Sequence, residues 1–421
     1  MTAFDVVAAL VTMAAVFAWV NHRYIRLPTT IGLLVISLVL SLVLVVLEGT
    51  GVLHVNGLVS LVEGIDFDQA VLHGMLGALL FAGALHVELG DLLSQKVPIV
   101  TLATVGVVTS TTVVGLLAMP LFGWLGFTVP LAYTLLFGAI VSPTDPIAVA
   151  AILKSVGVPR SVMAKISGES LFNDGLGVVV FLLLAGIASG AEEASVAMAL
   201  ELFMVEVVGG LVFGGALGWL AYHMLKRVDS YSVEILITLA VVTGGYALAN
   251  HLHLSGPLAM VVAGLLLGNR GRALAMSETT RERLDKFWEL VDEFLNAVLF
   301  VLIGIEVVAV AFDVRALLAG ALAVPVVLVA RWVSVGLPVM LMRTRRTFTP
   351  HVVKVLTWSG LKGGISVALA LSLPLGPHRE LIVTATYVVV CFSIVVQGLT
   401  VGAVVRRLLG PAEAEAGPAG H

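Results

Sequence analysis

Cysteine and charge are both scarce in this sequence. Among its 421 residues there is one cysteine, Cys391, so an internal disulfide and a cysteine metal cluster are both excluded. Charged residues make up 12% of the chain and hydrophobic residues 59%, whereas a soluble domain carries about twice that charged fraction. The chain also lacks a glycine-rich phosphate-binding loop and a basic patch interleaved with aromatics, so neither a nucleotide nor a nucleic acid is expected as a partner. This composition predicts an all-α polytopic membrane protein surrounded by lipid.

Runs of about twenty apolar residues have the length of a membrane-spanning helix. Hydropathy predicts about thirteen such spans, and their bounds are 3–20, 28–47, 69–87, 97–119, 129–153, 161–188, 196–225, 231–250, 254–269, 290–312, 316–341, 352–374 and 380–405. Most of the 23 Lys and Arg fall in loops after odd-numbered spans. The positive-inside rule then predicts a protein of the cell (inner) membrane with its N-terminus outside and its C-terminus in the cytoplasm. Segment 277–290 carries charge on one side only, which predicts a helix lying at the cytoplasmic interface.

Four polar side chains lie close together inside the sixth span. Ser170 and Asp174 are four residues apart and share one helix face, while Glu169 and Asn173 form a second stripe on the same helix. Such groups can simply join helices by hydrogen bonds. Two carboxylates deep in an apolar run instead favour a functional site. The spacing predicts that the helix offers one stripe to one partner and the other stripe to another.

The fifth and twelfth spans each contain helix-breaking residues. Two prolines bracket Thr144 and Asp145 in the stretch 142–146, and each removes a backbone donor. Three glycines surround Lys362 in the stretch 359–364. A proline kink and a lysine that reaches the cytoplasm are the simpler alternatives. We instead expect two unwound segments, with Lys362 either offsetting exposed carbonyls or pairing with an acid.

The positions of these interruptions predict an inverted repeat. Spans five and twelve cross the membrane in opposite directions, so spans 1–6 and 8–13 would form two inverted six-helix units with crossed broken helices. Interrupted helices at corresponding positions are the best sequence indication of a transporter's binding site. A carrier for an organic anion could share this plan, and a channel is a further alternative. An intramembrane hydrolase is disfavoured, because Ser170 has no histidine near it in its own span.

Together these motifs resemble the NhaP-type sodium/proton antiporters of the monovalent cation:proton antiporter superfamily. The resemblance extends over nearly the whole chain and rests on the stretches 142–146, 168–174, 254–259, 296–304, 360–364 and 369–374. It implies an ion site made by Asp174, the hydroxyl of Ser170 and the main-chain carbonyl of Thr144. It also implies that Asn173 marks the electroneutral branch, in which one cation is exchanged for one proton. Asp145 is expected to support this site from the fifth span.

Two positions depart from the family pattern. Glu169 matches an acid that pairs with a basic residue of the twelfth span, which is usually Arg and is Lys362 here. Family members often carry an acid where this chain has Ala82, so an ion ligand at that place must come from water or from elsewhere. His86 and Glu88 are nearby candidates, unless they face the surface. Arg331 and Glu306 are two further charges within spans, which could pair with each other or lie near an interface.

The resemblance also implies that some helices form a fixed scaffold and others a moving core. Scaffold or dimerisation helices are expected at 1–96 and, with a linker, at 189–312, and moving core helices at 97–188 and 316–408; 409–421 is expected to be a disordered cytoplasmic tail. The expected activity is exchange of Na⁺ or Li⁺ for H⁺ by a homodimer acting in pH homeostasis. Alternation of cation and proton on Asp174 would couple the two fluxes. No enzyme activity and no cofactor beyond the transported ions are expected, and K⁺/H⁺ exchange is the alternative within the same fold.

Overall fold

The structure, a computed structural model, describes residues 3–50, 67, 70–145, 147–190, 195–272, 277–309 and 313–409. Every regular element within these ranges is a helix, which confirms the predicted all-α fold. In chain order the α-helices are α1 (Ala3–Val20), α2 (Thr29–Gly49), α3 (Leu76–Leu85), α4 (Leu89–Ser94), α5 (Lys96–Thr101), α6 (Val107–Trp124), α7 (Leu131–Val141), α8 (Ile147–Val156), α9 (Arg160–Ala188), α10 (Val196–Leu202), α11 (Gly209–Leu225), α12 (Tyr231–His251), α13 (Gly256–Leu266), α14 (Glu278–Glu306), α15 (Val314–Met342), α16 (Val352–Trp358), α17 (Gly364–Leu371), α18 (Arg379–Phe392) and α19 (Gly398–Leu409). Wider π-helical turns extend or join several of them at Asn21–Ile25, Ala70–Met75, Leu102–Gly106, Phe203–Val208, Leu267–Gly271 and Ser393–Gln397, and a 3₁₀ turn at Val307–Ala309 follows α14.

Many of these helices are long and apolar enough to cross a membrane. Within the described ranges, eight stretches meet both conditions: Phe4–Ile25, Thr29–Leu47, Lys96–Trp124, Arg160–Ala188, Ala197–Leu225, Tyr231–His251, Val314–Met342 and Arg379–Leu409. Large apolar side chains such as Trp19, Leu236 and Met340 are exposed on the outer surface of the bundle, as expected for a surface that faces lipid. The chain is therefore an integral membrane protein. The count of about thirteen spans, the sidedness and the division into core and scaffold stay predictions, and the tail from 410 lies outside the described residues.

Both predicted helix interruptions are present. The fifth predicted span consists of α7 and α8 with an irregular stretch at 142–145 between them. Pro143 cannot donate a backbone hydrogen bond, and the hydroxyl of Ser142 donates to the carbonyl of Gly138 (2.6 Å) at the end of α7. The twelfth predicted span consists of α16 and α17, which are separated by the glycine-containing stretch at 359–363. Pro146 itself lies outside the described residues.

The two interruptions meet each other in the interior. The backbone N–H of Asp145 donates to the carbonyl of Leu361 (2.8 Å), so each unwound segment satisfies part of the other. The approach requires glycine at position 363, because a Cβ there would run into the carboxylate of Asp145. Irregular backbone is tolerated at this depth when it is buried in protein or lines a cavity. The crossing agrees with the predicted pair of broken helices, whereas the inverted symmetry of the two halves stays a prediction.

The segment at 277–290 is not a separate interfacial helix, which corrects the sequence prediction. It is the first half of α14, a continuous helix of 29 residues that starts at an N-cap on Ser277, whose side chain accepts from the N–H of Thr280. Leu284 and Trp288 are buried, and the indole N–H of Trp288 donates to Thr238 (3.1 Å). The apolar side of the segment therefore packs on neighbouring helices instead of lipid. No proline or glycine interrupts the chain between 277 and 303, so the helix continues into the next predicted span.

Candidate functional site

The polar stripe of α9 lies in the interior beside the unwound segment between α7 and α8. Glu169, Ser170, Asn173 and Asp174 are all at least 96% buried. A buried polar group is costly unless it finds a partner. Each of the four side chains therefore needs a polar partner in the interior.

Ser170 and Asn173 both hold Thr144. The hydroxyl of Ser170 donates to the main-chain carbonyl of Thr144. The amide of Asn173 donates to the hydroxyl of Thr144 (2.9 Å) and accepts from its backbone N–H (3.4 Å). The amide and the hydroxyl thus replace helical hydrogen bonds that the unwound backbone lacks. The predicted division into two stripes with separate partners is wrong for Asn173, which shares its partner with Ser170.

Glu169 forms a buried ion pair with Arg331 of α15, not with Lys362 as predicted. Both terminal nitrogens of Arg331 donate to the carboxylate, and the one that does so at 3.0 Å also donates to the carbonyl of Leu356 (3.3 Å). A planar guanidinium matches a carboxylate in this two-point geometry, which a lysine ammonium cannot do. Gly360 leaves the room for it, because a Cβ there would lie 2.5 Å from the Nε of Arg331.

Lys362 contacts main-chain carbonyls at the end of α7. Its ammonium donates to the carbonyls of Ser142 (3.0 Å) and Pro143 (3.2 Å), and its side chain is 3% exposed. These carbonyls would otherwise lack partners, since a helix end and a proline leave them without internal donors. Of the two roles predicted for Lys362, the structure shows, among the residues it describes, the contact with exposed main-chain carbonyls and not the pairing with an acid. The backbone N–H of Lys362 donates to Ser393 (2.9 Å), which fixes the unwound segment to the π-helical turn between α18 and α19.

Asp174 faces a cavity of about 60 Å³ that Thr144 and Asp145 also line. A space of this size holds a few water molecules, or one ion with part of its hydration shell. The negative charge of Asp145 repels that of an ionised Asp174, whereas the positive charge of Lys362 attracts it. Leucine is the commonest residue in the rest of the wall, at five positions, beside one isoleucine and one valine. The cavity therefore places a buried carboxylate beside a small space whose lining is largely apolar.

Two of the sequence candidates lie away from this cavity, and two residues were missed. His86 and Glu88 are exposed at the end of α3, so the surface-facing alternative holds for both. Ala82 is fully buried, and the neighbouring Gly83 lines the cavity. Asn296 of α14 and Ser366 of α17 also line it. For Asn296 a signal was available, because an amide in an otherwise apolar run is as unusual as the acids of α9.

Comparison with known proteins gives a consistent result. The profile of the family described as "Sodium/hydrogen exchanger, transmembrane" matches residues 10–407. The Na⁺/H⁺ antiporter NhaP of Pseudomonas aeruginosa is 49% identical over 413 residues, which is 96% of each chain. The Na⁺/H⁺ antiporter NhaH of Halobacillus dabanensis is 32% identical over 391 residues, 92% of this chain and 93% of that one.

A solved structure is similar over nearly the full length. The sodium proton antiporter MjNhaP1 of Methanocaldococcus jannaschii superposes with a TM-score of 0.76, covering 97% of this chain and all of that one. The identity between the two sequences is 18%, so this likeness concerns the fold.

Proposed function

The chain belongs to the sodium/hydrogen exchanger family, and from that premise we propose that it exchanges Na⁺ or Li⁺ for H⁺ across a membrane. The single observation that carries the proposal is the carboxylate of Asp174, which is buried and faces a small cavity between two crossed unwound segments. Oxygen ligands suit a hard monovalent cation. A buried carboxylate is also a group that a proton can neutralise.

The coupling follows from the cost of buried charge. A lone carboxylate in a low-dielectric interior is unfavourable, but it becomes neutral when either a monovalent cation or a proton binds. Asp174 therefore carries one or the other across, and the exchange is one for one and electroneutral. The chain needs no cofactor for this, since the gradient of one ion drives the flux of the other. The hydroxyl of Ser170, one helical turn before Asp174, donates to the carbonyl of Thr144, a residue that lines the cavity, and both oxygens keep lone pairs for the ion.

The other buried charges hold the site together. The pair of Glu169 and Arg331 joins α9 to α15, and Lys362 joins the second unwound segment to the end of α7. These contacts connect helices from 97–188 with helices from 316–408, so the two groups can move as one core against a scaffold. We propose that the scaffold helices form the contact between the two chains of a homodimer. We also propose that the N-terminus lies outside the cell and the C-terminus in the cytoplasm.

An organic anion as the cargo is disfavoured by the charges of the cavity. Both Asp145 and Asp174 line it, and their negative charges repel an anion. The ammonium of Lys362 is already engaged with two main-chain carbonyls. A small cation meets the opposite field.

The test is cation-driven proton movement in inside-out vesicles. Dequenching of a pH-sensitive dye on addition of Na⁺ or Li⁺ is expected for the natural chain, with a smaller response or none to K⁺. Asp174→Asn keeps the shape and removes the charge, so its vesicles should show no response. Exchange that survives in Asp174→Asn would remove this residue from the mechanism, and uptake of a labelled organic acid in place of Na⁺-driven dequenching would replace the proposal.

A further inference from the structure

The cavity beside Asp174 is lined by two residues, Asn296 and Ser366, whose side-chain oxygens nothing in the mechanism has used. The side-chain oxygen of Asn296 and the hydroxyl of Ser366 are buried, and neither has a hydrogen-bond partner among the residues that the structure describes. Asn296 is 2% exposed and Ser366 is 1% exposed, so bulk water does not solvate them. Both residues line the same cavity as Asp174. A buried acceptor left without a partner is costly, which indicates that something in the cavity contacts it.

The orientation of Asn296 is set by its own helix. Its amide nitrogen donates to the main-chain carbonyl of Asp292 (2.8 Å), one turn earlier in α14. That contact requires an N–H at this position, so the amide cannot be turned round without losing it. The side-chain oxygen is therefore the atom left over.

The hydroxyl of Ser366 is unpaired for a different reason. A helical serine usually donates to the carbonyl three or four residues earlier, as Ser372 does to Leu369 (3.0 Å). Ser366 is the third residue of α17, so the corresponding carbonyls belong to Lys362 and Gly363 in the unwound segment. The helical geometry that would bring them to the hydroxyl is missing there. The break in the helix thus leaves the hydroxyl of a cavity-lining residue without a partner among the described residues.

We propose that Asn296 and Ser366 are ligands of the transported cation and complete the site around Asp174. The inference rests on the exchange function proposed above and names the groups that would hold its substrate. The three residues come from α9, α14 and α17, so three elements each contribute an oxygen-bearing residue to the lining of the cavity. A hard monovalent cation takes such neutral oxygens together with one carboxylate. Because both added ligands are uncharged, they leave the charge of the site unchanged, which is consistent with one cation per proton.

The same two oxygens also suit the other occupant of the site. When Asp174 is protonated, its O–H becomes a donor, and an unpaired acceptor in the cavity can receive it. The Asn296 oxygen therefore has a partner in either loaded state. In the empty state it has none, which disfavours movement of the unloaded site.

The test compares ligand variants with matched controls in vesicles. Asn296→Ala and Ser366→Ala are each expected to raise the apparent KM for Na⁺ by about tenfold, equivalent to about 1.4 kcal/mol, with little change in maximal rate. Asn250→Ala and Ser372→Ala remove the same groups outside the cavity and should keep the natural KM. Stabilisation of the purified protein by NaCl over choline chloride gives a second readout, which should weaken in the two ligand variants.

The possible outcomes separate the two proposals. If the natural chain shows no exchange that depends on Asp174, the proposed function fails. If that exchange is present but Asn296→Ala and Ser366→Ala both keep the natural KM and the natural stabilisation by Na⁺, the inference alone is overturned, and water is the partner of these oxygens. Ser366→Ala removes a single atom, so it carries the test even where Asn296→Ala fails to fold. In that case an unchanged KM in Ser366→Ala overturns the assignment.

Discussion

Removal of Arg331 gives the sharpest prediction for stability. Arg331→Gln leaves Glu169 as a buried carboxylate with its partner gone, since the two side chains are 8% and 1% exposed. The natural arginine also donates to the carbonyl of Leu356, so three charge-assisted hydrogen bonds disappear together. Breaking one side of a buried pair costs about 3–5 kcal/mol, a large share of the roughly 5–15 kcal/mol that keeps a typical protein folded.

The assay is the unfolding midpoint of the purified protein in detergent. The matched control is Arg315→Gln, because Arg315 and Asp313 form an exposed pair at 3.9 Å with side chains 68% and 46% exposed. A pair of this kind contributes about 0–1 kcal/mol. The double variant Glu169→Gln with Arg331→Gln should lose less than the sum of the two single variants. Equal midpoints for Arg331→Gln and Arg315→Gln would refute the ion pair as a structural element.

The remaining predictions concern the unwound segments. Lys362→Gln should lower the unfolding midpoint by less than Arg331→Gln and leave the ratio of Na⁺ to H⁺ unchanged, because the ammonium contacts neutral carbonyls; an altered ratio in a flux assay would make Lys362 a proton carrier. Gly363→Ala should abolish exchange in vesicles, since the added methyl meets the Asp145 carboxylate; natural activity would mean that the segments do not pack this closely. Thr144→Val removes the hydroxyl that Asn173 contacts but keeps the carbonyl; Na⁺ affinity should change less than threefold, whereas a loss of ten-fold or more would make the hydroxyl a ligand.

The sequence was sufficient to locate the centre of the candidate site. Asp174 stands in a long apolar run with Ser170 one turn away, and the cost of a carboxylate in lipid makes such a position informative without a structure. The breaks at Pro143 and Gly363 were equally predictable, because local backbone chemistry decides them.

Partners across helices were not predictable from the sequence. The choice of Glu169 between Arg331 and Lys362 depends on which base the helix packing brings near it, and a linear pattern contains no such distance. Arg331 forms two bonds to the carboxylate, while Lys362 reaches the carbonyls of α7. Each base thus contacts the acceptor that fits its geometry.

The same reason explains the other differences. The amphipathic pattern of 277–290 suits either a membrane surface or a protein interior, and the burial of Trp288 selects the interior. Asn296 and Ser366 belong to different helices, and only the folded structure brings them to the same cavity. Their lack of partners is a property of three-dimensional packing, so no motif could reveal it.

The central claim is that one carboxylate carries a cation and a proton in turn. Its most direct test is proton release from the purified protein on addition of Na⁺, in weakly buffered solution at a pH low enough for this carboxylate to be protonated beforehand. The account predicts close to one proton released per chain, with the same amount of choline releasing none and Asp174→Asn releasing none with Na⁺. Release of the same amount from Asp174→Asn, or binding of Na⁺ by the natural chain without any release, would contradict it.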